Sequence, residues 1–122
     1  MAIGSNFATF DIALFTDAAF AELFEVAYYN RAGDYTRVDM AGRTFTMQLR
    51  ADPADASAAV TITVRPYPTD TYFLEIYGDS AVLAAVTPGR YYFSIVDTTN
   101  AGTNGEILIA SGNCTILKNP TR

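Results

Sequence analysis

Val38-Asp39-Met40-Ala41-Gly42-Arg43-Thr44-Phe45-Thr46-Met47-Gln48-Leu49-Arg50 is the stretch on which the reading of the fold turns. In its second half Phe45, Met47 and Leu49 point one way, while Thr44, Thr46, Gln48 and Arg50 point the other. That is the period-two signature of a half-buried strand. Asp39 and Gly42 supply turn chemistry just ahead of it. Nothing in the segment can carry out a reaction, so it reads as scaffold and sets the frame for its flanks.

Toward the N-terminus, Phe10, Ile12 and Leu14 alternate with Asp11, Ala13 and Phe15, giving a first strand over Phe7–Phe15 that ends at a Thr16-Asp17 turn. Ala18–Tyr29 is ambiguous: its Ala, Glu and Leu content suits a helix, yet Phe20, Glu22, Phe24, Val26 and Tyr28 alternate with their neighbours. The surrounding β pattern decides for a strand, because local propensity yields to tertiary packing. Asn30–Asp34 is a polar loop. Toward the C-terminus, Pro53 breaks the pattern within Ala51–Ala56. A strand then covers Ser57–Arg65, with Ala58, Val60, Ile62 and Val64 on one face, and Pro66 and Pro68 are expected to end it. Thr71–Tyr77 is the next strand. Ala81–Val86 reads as a short helical turn with Ser80 as N-cap. Arg90–Asp97 and Glu106–Ala110 form a hairpin around the turn-rich Thr98–Gly105 loop, and Cys114–Leu117 continues its second arm past a bulge at Gly112.

Short strands spaced by about ten residues, with turn signals between them, indicate a sandwich or small barrel. A sandwich is favoured, and Pro88-Gly89-Arg90-Tyr91 before a strand looks like the corner at which immunoglobulin-like folds cross between sheets. The expected architecture is all-β, an immunoglobulin-like antiparallel β-sandwich, with residues 1–122 in one domain. The chain of 122 residues is long enough to bury a single core, and its 50% hydrophobic content argues against disorder. Eight Tyr and eight Phe against no Trp lean toward β-structure.

The formal net charge is −5, with a pI of about 4.4, and Lys118 is the only lysine. Such a surface repels phosphate, so no nucleic-acid partner is expected. The start, Met1-Ala2-Ile3-Gly4-Ser5-Asn6, lacks the pattern of a signal peptide. No apolar run reaches membrane-spanning length, so no membrane partner is expected either. Cys114 is the sole cysteine and no intrachain disulfide can form. Synthesis and folding in a reducing cytoplasm follow as the expectation. Asn113-Cys114-Thr115 matches a glycosylation pattern but reads as chance on that route.

The chain contains no histidine, which removes the commonest general base and every Ser-His or Cys-His dyad. Asp52 and Asp55 with Ser57 are too few oxygen donors for a calcium cage, which takes about six to eight. Asp11, Glu22, Glu25 and Glu75 are scattered without a motif and read as solvent-facing strand residues. Tyr72, Phe73, Tyr77, Tyr91, Tyr92 and Phe93 could form a sugar-stacking platform, but neighbours in a strand face opposite sides, so at least half belong to the core. Cys114 reads as a small buried hydrophobe. No catalytic, cofactor-binding or metal-binding residue is assigned, and no cofactor.

Four stretches taken in order carry a resemblance: Phe10-Asp11-Ile12-Ala13-Leu14-Phe15-Thr16-Asp17-Ala18-Ala19-Phe20; Val38 to Gly42 leading into Phe45 to Arg50; Thr87-Pro88-Gly89-Arg90-Tyr91-Tyr92-Phe93; and Glu106-Ile107-Leu108-Ile109-Ala110-Ser111-Gly112, closing on Pro120-Thr121-Arg122. Together they resemble the immunoglobulin-like β-sandwich modules of phage tail, baseplate and fibre-attachment proteins. The first turn lacks the glycine often seen there, and Ser94 stands where an acidic residue is common. The resemblance implies a non-enzymatic structural protein of a tailed-phage virion, an adaptor or attachment subunit on the tail, baseplate or neck. Its partners would be other virion proteins and further copies of itself in a symmetric homo-oligomer, with outward side chains such as Phe15, Tyr77 and Tyr92 at the contacts. Capsid decoration is one alternative and a carbohydrate-binding module for host surface glycans is another. A hydrolase using two carboxylates is the least favoured.

Overall fold

The computed structural model describes residues 8–29, 31–99 and 107–120. Every regular element among them is a strand, so the all-β expectation holds. The strands are β1 (Ala8–Thr9), β2 (Ile12–Phe15), β3 (Phe20–Glu25), β4 (Ala27–Tyr29), β5 (Tyr35–Arg37), β6 (Phe45–Arg50), β7 (Val60–Tyr67), β8 (Asp70–Gly78), β9 (Gly89–Asp97) and β10 (Ile107–Leu117). β4 and β5 pair as a small hairpin. The other eight form one sheet in the order β1-β10-β9-β6-β7-β8-β3, with β2 following β1 along the same edge of β10.

The sheet is mixed, which corrects the antiparallel expectation. β1 and β2 run parallel to β10, with Thr9 opposite Ser111 and Leu14 opposite Ile116. A hairpin forces neighbours antiparallel, but the first and last strands of this chain share no hairpin, so only packing sets their sense. β7 changes partner along its length: Val60 and Ile62 face β6, whereas Thr63 to Tyr67 face β8. That handover bends the sheet. Its two ends approach at Phe10, between β1 and β2, whose ring lies 5.3 Å from that of Phe24 in β3 and 5.2 Å from that of Phe93 in β9. The sheet thus curls nearly into a barrel.

Alternation decides what fills it. Met47 and Leu49 of the opening segment are fully buried, together with Ile62, Leu74, Ile76, Leu83 and Ile95. Burial of each such side chain stabilises the fold by about 1.5–3 kcal/mol. The turn before β6 is built as its residues imply. Gly42 adopts φ 77°, Arg43 N–H donates to the Met40 carbonyl at 3.2 Å, and Asp39 Oδ1 accepts from Ala41 N–H at 3.0 Å and from the Thr71 hydroxyl at 2.6 Å. At the start of β9, the buried Tyr91 sends its hydroxyl back to the Thr87 carbonyl at 2.6 Å.

Ala18–Tyr29 is strand rather than helix, divided into β3 and β4. Three local expectations are corrected. β7 runs through Pro66, which pairs with Leu74 just before a register shift. Because β6 pairs only as far as Ile62, that stretch of β7 has an open side where a missing N–H costs no ladder bond. The 80–86 stretch is a run of turns, as the expected short helical turn requires, with Val86 N–H donating to the Leu83 carbonyl at 3.1 Å, but its cap differs. Asp79, not Ser80, caps it, accepting from Ala81 N–H at 2.9 Å. Finally, β10 is continuous and its irregularity lies between Leu108 and Ala110. Gly112 serves a different purpose, because a Cβ there would stand 1.7 Å from the Phe10 carbonyl oxygen. The expectations for Phe7, Asn30, 100–106 and Thr121-Arg122 lie outside the described residues.

Candidate functional site

The outer face of β1, β10, β9 and β6 is organised by register into two rows. One runs Thr9, Ser111, Ser94, Gln48 and the next Asn113, Tyr92, Arg50, each residue directly opposite its neighbour on the adjoining strand. Asp11 extends the second row, its Oδ1 accepting from Asn113 N–H at 3.2 Å. Directly paired residues in neighbouring strands sit about 5 Å apart, so these groups converge on one patch. The loop after β6 adds Pro53 as a wall. The result is an open cleft of about 480 Å³ lined by Asp11, Arg50, Pro53, Tyr92, Ser94 and Asn113, among others.

Tyr92 is 41% exposed at its centre. Arg50, opposite it, is tied down on the far side: its Nη2 donates to Gln48 Oε1 at 2.8 Å and its Nε to the Asp55 carbonyl at 3.1 Å. It makes no ion pair among the described residues. The hydroxyls of Thr9, Ser94 and Ser111 and the side-chain amide of Asn113 have no hydrogen-bond partner among the described residues, which leaves them open to a ligand.

The other aromatics of the anticipated platform lie away from the exposed face of Tyr92, although the buried Phe93 also contributes to the lining of the cleft. Tyr91 and Phe93 point into the core. Tyr72 lies under the Arg37 guanidinium at 4.3 Å and Tyr77 under that of Arg65 at 4.1 Å. The Tyr72 and Tyr77 rings therefore already hold cations by the attraction between a positive group and a ring face. Of the scattered carboxylates, Glu75 is not solvent-facing: it is 9% exposed and binds Arg65 through Nη2 at 2.8 Å and Nε at 2.9 Å. Glu25 holds Arg37 at 3.0 Å and accepts from the Tyr35 hydroxyl. Asp11 is in the cleft, and Glu22 is exposed on β3.

Asp52 and Asp55 stay in the exposed loop after β6, where Asp52 Oδ1 caps Ala54 N–H at 2.9 Å and Asp55 Oδ2 accepts from Asp52 N–H at 3.1 Å. Their oxygens shape the loop that positions Pro53. Cys114 is fully buried, and burial pushes its thiol up to about 11, so it stays protonated and unreactive. Among the described residues no group of three or more Cys, Asp or Glu side chains converges on a metal position. Arg50, Pro53, Ser94, Ser111 and Asn113 were not singled out as binding residues, and strand register, with the loop after β6 for Pro53, brings them to Tyr92.

No protein-family model matches the sequence, and no curated protein matches it. Among solved structures, a family 123 glycoside hydrolase from Clostridium perfringens, described for glycolipid glycan hydrolysis, aligns at a TM-score of 0.35 and 12% identity. The alignment covers 92% of this chain and 23% of the hydrolase, so the chain spans under a quarter of that protein. Similarity at this level assigns neither fold family nor activity.

Proposed function

We propose that the chain is a non-enzymatic structural subunit of a tailed-phage virion, an adaptor or attachment piece on the tail, baseplate or neck. The observation that carries the reading is the open edge at β2. Among the described residues Ile12-Ala13-Leu14-Phe15 pairs with β10 alone, bears no charge, and presents Phe15 at 42% exposure beside Leu117 at 40%. An apolar edge without lysine, proline or an inward charge is a template for another strand. The opposite edge, β3, is guarded by Glu22 and Glu25. An unguarded edge of this kind suits ordered assembly with neighbouring subunits through strand addition.

An immunoglobulin-like reading of the sheet supports the resemblance in the sequence. On this reading β2-β10-β9-β6 and β7-β8-β3, successive parts of one hydrogen-bonded sheet, would face each other across the core as the two layers of such sandwiches do. The Tyr91 bond back to Thr87 has the form of the tyrosine corner found at the start of their penultimate strand. On this reading the partners are other virion proteins and further copies of the chain, and the location is the virion.

Mass spectrometry and immunogold electron microscopy of purified particles test the assignment. The chain is expected at a fixed copy number and at one location on the particle, and its uniform absence from particles sinks the reading. Phe15→Glu tests the edge: incorporation is expected to fall sharply while the melting temperature of the isolated chain changes little, because the ring is already exposed to water.

A further inference from the structure

We propose that the Tyr92 cleft is a binding site for a neutral saccharide, with one sugar ring lying on the Tyr92 face and its hydroxyls on the surrounding polar groups. Two properties of the cleft lead there. The first is the bare ring. Among the described residues Tyr92 has no guanidinium above it, in contrast to Tyr72 and Tyr77, so its negative face is free for the weakly positive C–H face of a pyranose.

The second is the balance of donors and acceptors around that ring. A sugar hydroxyl both donates and accepts, so its complement is a mixed set. Asp11 only accepts, Arg50 only donates, and Asn113, Ser94, Ser111 and Thr9 do both. The single carboxylate and single guanidinium offset one another across the cleft, which leaves no net charge to select an anion. A phosphate or sulfate ester would meet Asp11 on a chain of net charge −5 and be disfavoured. The volume of about 480 Å³ falls within the range of small-ligand clefts, about 300–1,000 Å³. It exceeds one sugar ring, so the terminal two units of an oligosaccharide fit better than a free monosaccharide.

The site is also held in advance of binding. Tyr92 sits on β9 between two paired strands, Asp11 is fixed by Asn113 N–H, and Arg50 is fixed by Gln48 and the Asp55 carbonyl. Little ordering is left for a ligand to impose, which favours affinity. The inference stands apart from the virion assignment, since a chain missing from particles can still bind sugar and a virion subunit can fail to.

The test is a glycan array carrying neutral and acid-terminated oligosaccharides, probed with the intact chain. The strongest neutral glycan on it is then titrated into ¹⁵N-labelled protein. Binding to neutral glycans is expected, with amide shifts at Ser94, Ser111 and Asn113 and affinity that changes little with salt. Tyr92→Ala is expected to weaken binding about tenfold or more, and Tyr92→Phe to retain it within about threefold. Should Tyr92→Ala not fold, Asn113→Ala on the rim is expected to weaken binding about threefold or more. An array on which no neutral glycan binds, or only acidic ones, overturns the proposal. So does a folded Tyr92→Ala, or in its place Asn113→Ala, of unchanged affinity.

Discussion

Tyr77 on β8 and Tyr92 on β9 both point outward with an arginine on the adjacent strand, yet one ring is roofed and the other bare. The difference lies in the carboxylates. Arg65 stands directly opposite Glu75 across β7 and β8, and that nearly buried carboxylate holds the guanidinium where it covers Tyr77. Arg50 stands directly opposite Tyr92 but has no carboxylate partner among the described residues. Gln48 and a loop carbonyl draw it aside instead. Proximity in register does not make a cation–ring contact; the position of the counter-charge decides which ring face is left for a ligand.

The largest effect is expected from disturbing the backbone beneath the bare face. Gly112 lines the cleft, and a Cβ there would meet the Phe10 carbonyl at 1.7 Å, an approach that only displacement of the backbone between β1 and β2 can relieve. Gly112→Ala is therefore expected to cost about 3 kcal/mol. Urea denaturation measures it as a shift of midpoint at constant slope. A loss below about 1 kcal/mol would mean that the β1–β2 segment yields easily and that the cleft floor is soft.

Next comes Asp97, which places a third arginine by the same rule. Its carboxylate is 5% exposed and binds Arg43 Nε at 2.6 Å and Thr99 N–H at 2.9 Å. Burial alone would raise its pKa, but hydrogen bonds from the Thr99 hydroxyl and N–H, with the bond and charge of Arg43, hold it below the usual aspartate value. A carboxylate depressed in the folded state stabilises above its unfolded pKa, about 3.9, and that contribution is lost as the pH falls through the folded value. Thermal melting between pH 5 and pH 2, both set as experimental limits, is expected to show stability falling below about pH 4. Asp97→Asn is expected to flatten part of that fall and to cost about 1.5–3 kcal/mol at neutral pH. An unchanged acid limb in the variant would remove Asp97 from the account.

Most of the scaffold was legible because it depends on period two: Phe45 to Leu49, Val60 to Val64 and the two arms after Gly89 are strands whose faces follow from their alternation. Ala18–Tyr29 was legible only through its neighbours, since its own residues favour a helix. What could not be read is everything set by which strand lies beside which. The parallel pairing of β1 and β2, the partner change within β7 that admits Pro66, and the use of Gly112 for a close approach all depend on contacts between segments distant in the chain. The cleft belongs to this group. Tyr92 was visible as an aromatic, but Asp11, Arg50 and Asn113 come from three other places in the chain, and no local pattern joins them. Glu75 was misread for the same reason, since alternation placed it outward and Arg65, half exposed itself, is what covers it.

Smaller effects are expected on the roofed face, and they test the comparison most directly. Glu75→Ala removes the group that holds Arg65, with an expected loss of about 1 kcal/mol, at the low end because water screens the half-exposed guanidinium. The Tyr77 ring resonances are expected to shift as the cation leaves. Arg37 is the mildest case. It bridges Glu25 at 3.0 Å and Asp70 at 3.6 Å over Tyr72, all on a wet surface, so Arg37→Ala is expected to change stability by no more than about 0.5 kcal/mol. It nonetheless bares a second outward tyrosine. If a bare ring were sufficient for sugar binding, this variant would gain a site. If the surrounding polar rows are also required, its glycan-array pattern stays that of the parent chain. The second outcome is expected, because Tyr72 uncapped has two carboxylates beside it and no arginine to balance them, whereas Tyr92 lies between Arg50 and Asn113, with Asp11 beyond.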